Sequence, residues 1–145
     1  MQRERPALVS VFVFLCSVNI IAVTQKPCSR DLINNVLTLK EKVSNISNKL
    51  SLNCSLYTPT IEDYEQICPK TTMQCFASEI IVLTHEWEVT RMGKKLNKML
   101  DKLASRINQQ TASKCRRCEV MKEENATTFL ENLLWTVEKS NSDYC

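Results

Sequence analysis

Two pairs of cysteines carry the clearest chemistry in this 145-residue sequence. Cys68 and Cys75 are seven residues apart, while Cys115 and Cys118 are three apart in a segment predicted to open another helical stretch. Residues at i, i+3 and i+7 share one face of a helix, so each pair can present both sulfur atoms in one direction. The spacing predicts two parallel disulfide staples in a secreted helical protein.

The same four thiols could instead bind zinc, because Cys-x₂-Cys is also a zinc-ligand spacing. The sequence has no second Cys-x₂-Cys, and the predicted export of the chain favours disulfides. A redox role for Cys115–Cys118 is disfavoured, since the βαβ pattern that accompanies such motifs is missing. We expect no metal and no cofactor.

The amino-terminal residues have the layout of a secretory signal peptide. Two arginines precede an apolar run over residues 7–23, which ends in small or modest side chains before Thr24. An uncleaved anchor needs about 20 predominantly apolar residues, whereas this run is shorter and has polar interruptions. We expect residues 1–24 to be removed and residues 25–145 to form one secreted, extracellular domain without membrane insertion.

Three Asn-x-Ser/Thr sequons agree with a secretory route and predict glycosylation. They begin at Asn45, Asn53 and Asn125. The net charge of +3 is spread over 19 basic and 16 acidic residues, which gives no field that would indicate nucleic-acid binding.

One glycine in the whole chain indicates a helical protein, because hairpins and phosphate-binding loops need glycine. Apolar residues at spacings of three and four predict four helices. Their predicted extents are residues 29–52, 73–88, 92–107 and 126–137. They are joined by a long irregular connection over 53–69, a short turn over 89–93 and a connection over 109–114, with part of 114–118 also extended as crossover.

A short middle connection between two longer crossovers predicts an all-α, four-helix up-up-down-down bundle of the cytokine type. Phe76, Phe129 and Trp135 are predicted to pack in its core or to be partly buried, rather than to contact a ligand. Four lysines opposite the apolar stripe of the third helix are interpreted as a solvated face rather than a docking patch. They are Lys94, Lys95, Lys98 and Lys102.

The remaining cysteines of the mature chain are constrained by this topology. A continuous first helix would separate Cys28 and Cys54 by about 39 Å along its axis, whereas bonded cysteines have Cα atoms within about 7 Å. In an up-up-down-down bundle the end of the fourth helix returns beside the start of the first, which predicts a Cys28–Cys145 bond. The state of Cys54 stays open among a thiol, a bond to another chain, and competition in one of the other pairs.

Two stretches, CPKTTMQCFASEIIVLTHE and CRRCEVMKEENATTFLENLLWTVEK, resemble the corresponding parts of interleukin-15 and the interleukin-15-like cytokine. The similarity extends to SLYT at residues 55–58 and covers the chain from about Cys54 onward, while the first helix aligns by pattern alone. The short leader favours the interleukin-15-like branch. The resemblance implies a cytokine bundle with Cys68–Cys115 and Cys75–Cys118 disulfides.

The resemblance also implies a surface for a sushi-type alpha receptor chain, the interleukin-15 receptor alpha. In this sequence Glu79 and Glu86 match the acidic positions of that surface, with Val82 between them and Tyr57 from SLYT. Glu79, Val82 and Glu86 recur at i, i+3 and i+7 and so share a helix face. Their carboxylates can form charge-assisted pairs with arginines of a basic partner.

The resemblance also implies sites for the interleukin-2 receptor beta chain and the common gamma chain, but the residues of this sequence differ from the family's residues there. Asp31 is the candidate for the family's aspartate in the first helix, although it could simply cap that helix. Lys98 falls where the family has an asparagine, and Glu138 where it has a glutamine. The resemblance therefore implies a cytokine that signals to lymphocytes by assembling alpha, beta and gamma chains.

Two other classes of function are disfavoured. An enzyme is not expected, because His85 is the only histidine and no nucleophile or phosphate-binding motif is present. A secreted lipid- or membrane-binding protein would expose a continuous apolar face with basic flanks, whereas these apolar stripes are needed to cover one another.

Overall fold

The computed structural model describes five stretches of the chain, residues 30–47, 54–66, 68–86, 89–109 and 114–144. In chain order the elements are α1 (Arg30–Ser47), β1 (Leu56–Tyr57), α2 (Ile61–Gln66), α3 (Pro69–Glu86), α4 (Thr90–Arg106), a 3₁₀ helix (Cys118–Val120), β2 (Glu123–Glu124) and α5 (Ala126–Tyr144). The predicted leader, residues 1–24, lies outside these stretches, as do Cys28, Asn53 and Cys145. Within them, no helix is both long and apolar enough to cross a membrane.

The long helices α1, α3, α4 and α5 form the predicted all-α, up-up-down-down bundle. Helix α3 packs mainly on α4, and α1 packs on α5 and α4. The two crossovers meet in a small antiparallel ladder, in which Leu56 faces Glu124 and Tyr57 faces Glu123. The Thr58 amide extends this pairing by donating to the Lys122 carbonyl at 2.9 Å.

Each long helix buries most of the described residues of its predicted apolar stripe, although Ile81 of α3 is 38% exposed. The α1 stripe Leu32, Val36, Leu39 and Val43 is buried, and the rings of Phe76 and Phe129 meet edge to face with centroids 5.4 Å apart. Trp135 does not pack in the core, because its side chain is 55% exposed. Its position on α5 falls outside the buried stripe that Leu130, Leu133 and Val137 define.

The predicted turn over residues 89–93 is also wrong at its end, because α4 begins at Thr90 and Gly93 is helical. Gly93 is buried against α3, where an added Cβ would overlap the Thr84 side chain. The glycine therefore permits a close approach of two helices rather than a turn. Asn97 supports the same contact by donating from Nδ2 to the Ala77 carbonyl at 2.7 Å.

The first crossover contains regular structure that the sequence pattern does not predict. Thr60 and Asp63 form a reciprocal cap, in which the Thr60 amide donates to Asp63 Oδ2 at 2.8 Å and the Asp63 amide donates to Thr60 Oγ1 at 3.2 Å. This cap starts α2, which buries Tyr64 in the core. Helix α3 then begins at Pro69, four residues before the predicted Met73, because proline is well suited to a first helical position.

The second cysteine pair does not open an α-helix as predicted. Arg117 is extended, with φ −70° and ψ 151°, and only a short 3₁₀ turn follows it. Helix α5 starts later, at Ala126, where Asn125 Oδ1 accepts a hydrogen bond from the Thr128 amide at 2.8 Å. An asparagine cap of this kind satisfies an amide that the helix itself leaves unpaired.

Candidate functional site: an acidic surface built on two disulfides

Two disulfides fasten α3 to the segment that precedes α5. Cys68 bonds Cys115 with a Cα–Cα distance of 5.7 Å, and Cys75 bonds Cys118 with a distance of 5.3 Å. These are the pairs that the resemblance implies. Because disulfide sulfurs are not thiolate ligands, the zinc alternative does not describe this structure.

Hydrogen bonds hold the start of α3 beside the first disulfide. Gln109 Oε1 accepts from the amides of Lys70 and Thr71 at 3.0 and 3.2 Å, which caps α3 from a distant part of the chain. Gln109 Nε2 donates to Thr71 Oγ1 at 2.9 Å and to Cys115 Sγ at 3.5 Å. The cap and the disulfide therefore fix the same corner of the bundle.

An ion pair ties the cysteine segment to α2. Arg116 donates from Nε and Nη2 to the two carboxylate oxygens of Asp63, at 3.0 and 2.8 Å. Burial raises the pKa of Asp63, but the bonds from Arg116 and Thr60 outweigh this effect and hold the pKa below its usual value. Asp63 therefore stays ionised and connects the two crossovers.

Glu79 lies at the centre of the candidate surface. Its Oε2 accepts a hydrogen bond from the Tyr57 amide at 3.0 Å, which joins α3 to β1. Burial raises the pKa of Glu79, the bond from Tyr57 opposes this, and the nearby charges of Glu123 and Glu119 raise the pKa further. Three carboxylates from two separate parts of the chain therefore interact electrostatically.

We call this region the acidic surface and define it by Tyr57, Glu79, Val82, Glu119 and Glu123. Glu119 and Glu123 are exposed, whereas Tyr57 and Glu79 are half-buried. Val82 is 44% exposed, one turn along α3 from Glu79, and Val120, beside Glu119, is 62% exposed. Exposed apolar side chains among carboxylates are suited to a protein partner that brings both cations and apolar contacts.

Glu119 and Glu123 are not among the residues predicted from the sequence for this surface. A signal for Glu119 was available, because Cys75 lies four residues before Glu79 on α3 and its disulfide partner Cys118 precedes Glu119. Residues four apart are neighbours on a helix, so the implied disulfide places Glu119 near Glu79. Glu123 depends instead on the β1–β2 ladder. The last predicted member, Glu86, ends α3, and its side chain lies outside the described residues.

The predicted beta- and gamma-chain residues lie on three different helices. Asp31 is exposed in the first turn of α1, Lys98 is exposed on α4, and Glu138 is exposed on α5. The exposed Trp135 lies three residues before Glu138 and therefore on the same side of α5.

The remaining predicted sites are described in part. The sequon residues Asn45 and Asn125 are exposed. Cys54 is half-buried and packs against the hydrophobic core. The predicted Cys28–Cys145 bond and the Asn53 sequon fall outside the described residues.

The sequence matches known proteins over most of its length. The sequence model of the interleukin 15 family matches residues 11–140. Interleukin-15 of Marmota himalayana is 32% identical over 101 residues, which cover 68% of this chain and 61% of the relative. Mouse (Mus musculus) interleukin-15 is 28% identical over 101 residues, which cover 68% of this chain and 61% of the relative.

Interleukin-15 of Macaca mulatta is 26% identical over 107 residues, which cover 72% of this chain and 65% of the relative. The match thus spans less than two thirds of the length of these relatives. It covers most of the present chain, and the helices, crossovers and disulfides agree with the fold that the resemblance implies. The chain belongs to the interleukin-15 family, a family of helical cytokines.

Proposed function

We propose that this chain is a secreted cytokine whose acidic surface binds the sushi domain of an interleukin-15 receptor alpha chain. The observation that carries the proposal is the charge–charge interaction of Glu79 with Glu119 and Glu123, two residues of the segment that the Cys75–Cys118 disulfide fastens to α3. Like charges held together repel one another. An arrangement of this kind is favourable when a cationic partner neutralises it, which is the role that the resemblance assigns to the alpha chain.

The geometry of Glu79 suits an arginine of the partner. Oε2 is oriented by the Tyr57 amide, while Oε1 has no hydrogen bond to any described residue. A carboxylate that is already oriented loses little side-chain freedom on binding. Arginine can approach such a group with charge-assisted hydrogen bonds. Val82 and Val120 would then supply apolar contact area beside the ion pairs.

The proposal includes two further receptor chains and an assembly mechanism. The acidic surface captures the alpha chain, and the surfaces around Asp31, Lys98 and Glu138 bring together an interleukin-2 receptor beta chain and the common gamma chain on lymphocytes. Lys98 and Glu138 differ from the family's residues at these positions, so we assign the acidic surface the largest share of the binding energy. No catalysis is required.

Secretion is part of the same proposal. Residues 1–24 would be removed during export, leaving residues 25–145 as an extracellular domain. The exposure of Asn45 and Asn125 is compatible with glycosylation, and glycosylation at Nδ2 of Asn125 would leave its Oδ1 cap on α5 intact. The third disulfide, Cys28–Cys145, would form in the oxidising secretory route.

Binding of the oxidised chain to the sushi domain of a same-species alpha receptor tests the proposal. The double variant Glu79→Arg, Glu86→Arg is compared with Glu41→Arg, Glu138→Arg, which makes the same charge change at exposed positions of α1 and α5. The first variant should lose about 2 to 5 kcal/mol of binding free energy, whereas the second should bind the sushi domain as the parent does. A folded parent chain that binds no sushi domain would overturn the proposal, and liposome binding by that chain would favour the lipid-binding alternative.

A further inference from the structure

Helix α4 carries a concentration of positive charge that lies outside the acidic surface. It contains six cations and a single carboxylate, Asp101, a formal charge of +5 against +3 for the whole chain. The rest of the protein is therefore slightly acidic, and the positive charge is concentrated on one element. A concentrated field of one sign attracts ligands of the opposite sign.

The cations of α4 form a row on its solvent side. Arg91, Lys95, Lys98 and Lys102 recur at i, i+4, i+7 and i+11, which places them along one face over about 16 Å. Lys94 lies beside this row. All five are exposed, while the opposite face of the helix is buried through Gly93, Leu96, Leu100, Leu103 and Ala104. We call these five cations the basic face.

The basic face is not neutralised within the described parts of the chain. Three cations elsewhere have carboxylate partners: Arg116 pairs with Asp63, Lys122 with Glu124 and Lys139 with Asp143. None of the five cations of the basic face forms such a pair with a described residue. A shallow concavity of about 480 Å³ follows the row and is lined by Thr90, Arg91, Lys94, Lys95 and Lys98.

We propose that the basic face binds a linear sulfated polysaccharide of the heparin class. A row of unpaired cations along one helix matches the charge pattern of an extended polyanion, and clusters rich in lysine and arginine are known to favour such ligands. Binding would release counterions from the polymer and so would depend steeply on salt.

Two other polyanions are less well matched. A membrane surface is bound most strongly when apolar side chains insert beside the cations, but the large exposed apolar residues found in the described stretches all lie outside α4. Single-stranded nucleic acid is usually held by aromatic stacking as well as charge, and α4 contains no aromatic residue.

Heparin affinity chromatography of the oxidised chain, with a sodium chloride gradient, tests the inference. The basic-face variant is Arg91→Gln, Lys94→Gln, Lys95→Gln, Lys102→Gln. It leaves Lys98 in place, so that the proposed receptor residue is not altered. The matched control is Arg117→Gln, Lys114→Gln, Lys122→Gln, Lys139→Gln, which also replaces one arginine and three lysines. Circular dichroism and the melting temperature establish that both variants are folded.

We expect the basic-face variant to bind heparin at least about tenfold more weakly than the parent at about 0.15 M salt. The slope of log Kd against log salt concentration should be smaller than that of the parent by about 2 to 3. The control should elute with the parent chain from heparin, while both variants should elute together from a sulfopropyl resin. Equal loss of heparin binding in both variants would overturn the inference. So would failure of the parent to bind at about 0.15 M salt, or tighter binding to phosphatidylserine vesicles or single-stranded DNA. None of these outcomes depends on the sushi domain.

Discussion

The acidic surface and the basic face are built in opposite ways. The acidic surface joins β1, α3 and the segment after Cys118, and a disulfide, a ladder and a hydrogen bond to Glu79 hold these parts together. The basic face lies on one helix, and its side chains have no ion-pair partner among the described residues. The first arrangement fixes directions, which suits a folded protein partner, whereas the second provides charge along a line, which suits a flexible polymer.

Removing the Cys75–Cys118 disulfide should produce the largest difference between the two regions, because it should impair the acidic surface and leave the basic face unchanged. We expect Cys75→Ser, Cys118→Ser to lower the free energy of unfolding by about 2 to 4 kcal/mol and to weaken sushi-domain binding, because Glu119 is no longer held beside Glu79. Heparin retention of the folded fraction should be unchanged, since α4 contains neither cysteine. Urea unfolding and the two binding assays check this. A variant that binds the sushi domain as the parent does would show that the disulfide does not organise the surface.

Gly93 tests the packing of α4 on α3, which supports the basic face from behind. Glycine to alanine normally gains about 1 kcal/mol inside a helix. Here we expect Gly93→Ala to cost about 1 to 3 kcal/mol, because the new Cβ overlaps Thr84. Thermal or urea unfolding measures the change, and Ser105→Ala, at an exposed position of the same helix, is the control. A stabilised Gly93→Ala would mean that the helices are not in close contact.

Glu79→Gln should sharpen the contrast between stability and binding on the acidic surface. Because the folded pKa of Glu79 is raised, the native state binds more protons than the unfolded state in the window between the ordinary and the raised pKa, and its stability falls as pH increases through that window. Glutamine keeps an oxygen for the Tyr57 amide and cannot ionise.

At neutral pH we therefore expect Glu79→Gln to have a higher free energy of unfolding than the parent, by less than about 1 kcal/mol because solvent screens this half-exposed group. Denaturant unfolding measures this gain. The variant should nevertheless bind the sushi domain more weakly. The gain in stability should vanish at a pH well below the ordinary pKa of a glutamate. An equal gain in stability at acidic and neutral pH would contradict the electrostatic cause. Glu41→Gln, at an exposed position of α1, is the control.

The bundle could be predicted because its signals are local. A stripe such as Leu32, Val36, Leu39 and Val43 indicates a helix and its buried face from spacing alone. The regular structure inside the crossovers could not be predicted, because β1 and β2 are two residues each and pair across the fold. Helix α2 likewise depends on the burial of Tyr64 and on Arg116, which is distant in sequence.

The residues of the candidate site also differ in whether local signals or distant contacts place them. Glu79 and Val82 follow from helical spacing together with the family resemblance. Spacing also places the α4 lysines on one exposed face, but the sequence favours a solvated face there rather than a binding site. Glu119 and Glu123 require the disulfide and the ladder, which are contacts between distant parts of the chain. The exposure of Trp135 could not be predicted, because an aromatic residue at the edge of an apolar stripe can be exposed as well as buried.

The central claim is that the acidic surface extends from α3 across the disulfide to Glu119 and Glu123. The most direct measurement is sushi-domain binding by Glu119→Arg, Glu123→Arg, with Glu62→Arg, Glu65→Arg on α2 as a control of the same charge change at exposed positions. We predict that the first variant loses about 1.5 to 3 kcal/mol of binding free energy, whereas the control binds as the parent does. Equal binding by the two variants would contradict the claim and would confine any receptor contact in this region to α3.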